Sequence, residues 1–68
     1  MKLKNILYRN YNSLSDNERE YYKENREKFE LNTCDITNCI YYSDELVWEV
    51  EHLGYSALCE DAYKELTE

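Results

Sequence analysis

Sixty-eight residues, with eight Lys plus Arg against fifteen Asp plus Glu, give a formal charge of −7; the chain has no proline and one glycine. A chain of this size forms one domain over 1–68 and hides only about 60% of the surface its unfolded form exposes, which excludes a cofactor-binding domain beside a substrate domain. The acidic balance excludes a direct grip on nucleic acid, because duplex binding is dominated by Lys and Arg neutralising phosphates.

Hairpin turns usually need Gly, Asn-Gly or Asp-Gly to reach positive φ, and neither dipeptide occurs. Helices are therefore favoured before any periodicity is counted, although eight Tyr with Val and Ile pull towards strand. Over residues 2–12, Leu3, Ile6, Leu7, Asn10 and Tyr11 share one face at helical spacing, which predicts a short amphipathic helix. Ser15 followed by Glu18 is a capping box, so a second helix is expected from about Asp16 to Glu30. Its interior is strongly charged and offers only Tyr22, Phe29 and the flanking Tyr21 and Leu31 as a buried side.

Residues 32–42 read two ways: Asp35 caps a short helix carrying Ile36, Cys39 and Ile40, or Cys39–Tyr42 is a strand. From Ser43 to Gly54, Leu46, Val47, Val50 and Leu53 fall at helical spacing, with Ser43 as N-cap and Gly54 as the stop. Tyr55 is expected to fold back on Val50. A last helix starts near Ser56, with Leu58, Ala62 and Leu66 as its stripe. The expected architecture is thus all-α, a small bundle of three to five short helices. The alternative is α+β, with a β-hairpin around 39–50 and a C-terminal helix, in the manner of a degenerate zinc finger.

The one metal-type constellation is Cys34, Cys39, His52 and Cys59. Three Cys with one His is an accepted tetrahedral zinc set, but the four-residue gap between Cys34 and Cys39 is not the usual Cys-x-x-Cys pair, so no metal site is expected and zinc is the alternative. The segment Leu58-Cys59-Glu60-Asp61-Ala62-Tyr63 resembles the Leu-Cys-x-x-Cys-Tyr start of the helix in treble-clef zinc fingers. Over about a dozen residues that resemblance implies a finger that has lost its metal, with Ala62 where the last ligand would stand. An odd number of cysteines argues against a disulfide framework.

Enzymatic readings have little to stand on. Cys59 with His52 is the conceivable nucleophile pair, yet no orienting group or oxyanion loop accompanies it. No enzyme activity is expected, and no apolar run approaches the ~18 residues that cross a bilayer, so a cytoplasmic protein is expected.

Charge is unevenly divided. Residues 1–28 hold seven basic and five acidic side chains, net +2; residues 29–68 hold ten acids and only Lys64, net −9. Among those acids stand Tyr41, Tyr42 and Trp48, and aromatic side chains of this kind are frequent interface anchors. The expected function is a non-enzymatic module that docks on the basic surface of a partner protein, itself nucleic-acid-binding, and acts as a nucleic-acid mimic or inhibitor. The expected docking residues are Asp44, Glu45, Trp48, Glu49, Glu51, Glu60 and Asp61, with Tyr41 and Tyr42. In composition the chain resembles small phage or mobile-element proteins that block host factors. The alternative is a zinc-stabilised structural or adaptor module using Cys34, Cys39, His52 and Cys59. Self-association is a further expectation, since the charged second helix has little apolar face to bury alone.

Overall fold

A computed structural model describes residues 1–68, and the architecture is α+β rather than all-α. Helix α1 spans Asp16–Asn25 and α2 spans Glu60–Thr67. Between them lies a two-stranded antiparallel sheet, β1 (Leu31–Thr33) with β2 (Ile40–Tyr42), in the register Leu31 to Tyr42 and Thr33 to Ile40. Four single 3-10 turns, Leu3–Asn5, Tyr11–Ser13, Ser43–Glu45 and Glu51–Leu53, complete the chain. The expected bundle of three to five helices is therefore overturned. The alternative has the right class and C-terminal helix, though its hairpin lies at 31–42 instead of 39–50.

Each helix that failed to form has a visible competitor. The 2–12 helix is broken where Tyr8 turns left-handed at φ 62. The Tyr8 amide donates to the Ile40 carbonyl at 2.7 Å, and Ile40 donates back to Arg9 at 3.1 Å, so the segment pairs with β2. In the 43–54 segment, Val47 and Leu58 exchange two backbone hydrogen bonds, at 2.7 and 3.1 Å, and Glu49 sits at φ 63. The residues between the two 3-10 turns are irregular rather than helical, because a helix there would forfeit that bridge. Gly54 does end its turn in the left-handed region, at φ 89, and the Tyr55 amide returns to the Val50 carbonyl at 3.2 Å.

The capping box forms as expected: Ser15 Oγ accepts from the Glu18 amide at 3.3 Å and Glu18 Oε1 from the Ser15 amide at 2.9 Å. Regular helix α1 ends at Asn25, and a further turn closes where Leu31 donates to the Arg26 carbonyl at 2.8 Å with Glu30 at φ 53. That left-handed closure is the position where glycine usually ends a helix. Helix α2 starts four residues later than expected, because Ser56, Ala57 and Leu58 are held by other partners.

Apolar residues gather in two clusters, and the molecule is correspondingly elongated, 37 × 22 × 17 Å. Ile6, Leu14, Tyr22, Leu31 and Ile40 form the N-terminal cluster. Cys34, Leu46, Val50, Ala57, Leu58, Cys59 and Ala62 form the C-terminal one. The hairpin stands between them: Ile40 and Tyr42 face the first cluster, and Tyr41 the second.

Candidate functional site

The three cysteines lie where the hairpin meets the start of α2. Cys34 and Cys39 end the turn between the strands, which is closed by Cys34 donating to the Cys39 carbonyl at 3.1 Å and Asn38 donating to the Cys34 carbonyl at 2.8 Å. Asn38 takes φ 59, a left-handed conformation that Asn tolerates better than most side chains, and so serves in place of the missing glycine. Asn10 reaches across from the N-terminal segment and donates to the Thr37 carbonyl at 2.9 Å.

Asp35 fixes the second half of the site. Its Oδ2 accepts from the Ser56 amide at 2.6 Å and the Ala57 amide at 3.2 Å, while its own amide donates to the Ala57 carbonyl at 3.0 Å. The chain leading into α2 is thereby clamped to the cysteine turn, and Cys59 takes the N-cap position of α2. Sequence reasoning read Asp35 only as a local cap, of a turn or short helix. Its long-range partners, 21 and 22 residues away, left no local signal.

Cys34 is fully buried, and the Thr37 amide points at its sulfur from 3.5 Å. Burial pushes this thiol up, but hydrogen bonds from Thr37, through side chain and amide, and from the amides of Cys59 and Ile36 outweigh it and bring the thiol down to about 7. Hydrogen bonds donated to the charged form of a group favour that form, here the thiolate. The Tyr41 phenol is held above its usual range, first by burial, then by its polar contact with the Cys59 thiol, and also by Cys39 and Cys34. His52 is exposed on the Glu51–Leu53 turn. The Cys39 sulfur donates to the Thr37 carbonyl at 3.8 Å, and no three His, Cys, Asp or Glu side chains stand together in a group that could hold a metal ion.

The acidic residues expected to dock a partner fall into separate places. Tyr41, Glu45, Glu60 and Asp61 meet with Cys59 around one hollow of about 290 Å³. Asp44 and Trp48 line an open groove of about 510 Å³ against Arg26, Glu27 and Glu30. Trp48 is 44% exposed, with its indole N–H fixed on the Ser43 carbonyl at 2.8 Å. Tyr42 packs on the N-terminal cluster, and Glu49 and Glu51 are exposed and line neither depression.

A residue the sequence reading passed over sits on the hollow's rim. Tyr8 packs edge-on against Tyr41 at 5.4 Å and its hydroxyl donates to both Glu45 carboxylate oxygens, at 2.9 and 2.8 Å. That bond to Glu45, above all, raises the Tyr8 phenol from its ordinary value. No helix of the protein is long and apolar enough to cross a membrane. Comparison of the chain with protein-family models, curated proteins and solved structures finds no match.

Proposed function

We propose that the protein is a non-enzymatic, zinc-stabilised adaptor module, with Cys34, Cys39 and Cys59 as thiolate ligands and the fourth position open to His52, a neighbouring carboxylate or water. The observation that carries this reading is the Cys34 sulfur, buried beneath amide donors at the foot of a cysteine turn and beside the N-cap cysteine of α2. Outer-shell hydrogen bonds of this kind orient and tune metal-binding side chains. Cys39 needs to exchange its contact with the Thr37 carbonyl for the metal. A domain this small gains most from such a staple. Metal analysis of purified protein tests it: one zinc per chain is expected, lost in Cys34→Ser and Cys59→Ser. Protein that retains no zinc, and develops no thiolate-to-metal absorption with added cobalt(II), would overturn it.

A second reading is favoured by the hollow where Tyr41, Glu45, Glu60 and Asp61 meet. There the carboxylates of a net −9 segment stand beside an aromatic side chain, a combination suited to a basic surface on a nucleic-acid-binding protein. The expected binding weakens with salt. Neutralising Glu45, Glu60 and Asp61 together is expected to weaken it more than neutralising Glu49 and Glu51. Equal effects from the two sets would remove this reading.

A further inference from the structure

The largest concavity, about 780 Å³, lies in the N-terminal half and belongs to neither site above. Helix α1 supplies Tyr22 and Lys23, the turn after it supplies Arg26, β1 supplies Asn32 and Thr33, and the cysteine turn supplies Asn38. Its volume falls within the range of about 300–1,000 Å³ typical of small-ligand clefts.

Two observations point to a ligand. Tyr22 is only 6% exposed, with its ring fixed edge-on against Tyr11 at 5.6 Å, yet its hydroxyl has no hydrogen-bond partner in the protein. No buried side-chain polar atom goes unpartnered, so this hydroxyl is accessible to solvent, on a residue that lines the cleft. Secondly, Lys23 and Arg26 pair with no carboxylate, the ion pairs of the protein being Arg9 with Glu18 and Arg19 with Asp16. The Arg26 charge is felt at the Tyr22 phenol, where it opposes the upward push of burial. Two unpaired cations and a solvent-accessible hydroxyl donor thus line one space, together with the carboxylates of Glu24 and Glu27.

We propose that this cleft binds a small phosphate ester of mononucleotide size, its phosphate held by Arg26, Lys23 and the Tyr22 hydroxyl and its sugar or base by Asn32, Thr33 and Asn38. Arg suits phosphate because its planar fork donates two parallel hydrogen bonds. Glu24 and Glu27 share the lining. They repel a polyphosphate or a nucleic-acid strand and accept from ribose hydroxyls or an exocyclic amine, so the cleft selects one phosphate with donors attached. The inference rests on neither reading of the cysteine and acidic sites.

Titration of ¹⁵N-labelled protein with adenosine 5′-monophosphate, ribose 5-phosphate, inorganic phosphate and adenosine tests it by amide shifts. Saturable shifts centred on residues 22–26, 32–33 and 38 are expected with the two esters, and adenosine is expected to bind about tenfold more weakly, or worse, for want of the charged contacts. Arg26→Gln, on an exposed side chain, is expected to weaken ester binding about tenfold with melting unchanged. Tyr22→Phe keeps the ring and is expected to weaken it several-fold. Adenosine or inorganic phosphate binding as tightly as the nucleotide would overturn the proposal. So would shifts that map elsewhere or never saturate.

Discussion

Ser15 and Glu18 satisfy each other's backbone donors at the start of α1, and Arg9 adds an ion pair at 2.6 Å. Ser15→Ala is expected to cost about 1 kcal/mol, a fall in Tm of about 4–8 °C by calorimetry. Glu18 also couples stability to pH. The Ser15 amide holds its carboxyl below the ordinary range; partial burial pushes the other way, and the Ser15 hydroxyl and Arg9 add to the lowering. A carboxyl lowered by folding contributes stability that is present above its unfolded value of about 4.3 and is lost as pH falls through the folded value. Melting followed from pH 6 to pH 3 is expected to fall more steeply in the wild type than in Glu18→Gln. This box was legible because it closes within four residues. Asp35 and Tyr8 were not, since their partners lie 21 and 37 residues away.

At the scale of elements, apolar spacing identified which positions are buried but not the backbone that buries them. Leu46 and Val50 are both in the core, as their spacing implies, yet they reach it from an irregular segment flanked by two 3-10 turns. A spacing of four serves a helix and an irregular segment alike, and the Val47–Leu58 bridge decides between them. Scarcity of glycine misled for a related reason. Tyr8, Glu30, Asn38 and Glu49 all take left-handed φ, so turns expected to need glycine are made without it. A left-handed residue other than Gly carries a cost of about 1–2 kcal/mol. Glu30→Gly is expected to stabilise by up to about 1 kcal/mol in urea denaturation, because relief of that cost exceeds the added freedom of the unfolded chain. Gly54→Ala is expected to destabilise by about 1 kcal/mol, although a Cβ there meets nothing within 4 Å. Asp35→Ala, which unclamps α2 from the cysteine turn, is expected to cost about 1–3 kcal/mol.

Across the whole molecule, two modest clusters share a hairpin of two three-residue strands. Ile40→Ala in one and Leu58→Ala in the other are each expected to cost about 2–5 kcal/mol, enough to leave much of so small a protein unfolded. If the hairpin couples the halves, Trp48 fluorescence, which reports the groove between residues 26–31 and 43–48, and far-UV circular dichroism will give one coincident urea transition for the wild type. Separate midpoints would mean that the halves unfold independently. Folding sets the cations Lys23 and Arg26 among carboxylates of both halves, Glu24 and Glu27 in the cleft and Glu30 and Asp44 in the neighbouring groove, while the acid-rimmed hollow is built from the second half.

The alternation along β2 has a consequence for error. In a hairpin with one buried face, a one-residue slip is resisted by the turn and by the loss of that single core. Here neighbouring residues serve different cores, so the same slip would drive Ile40 towards the thiols and Tyr41 into the packing around Ile6 and Leu14. Both halves veto the misalignment at once. A three-residue strand with no tight glycine turn can therefore keep its register, proofread from either side.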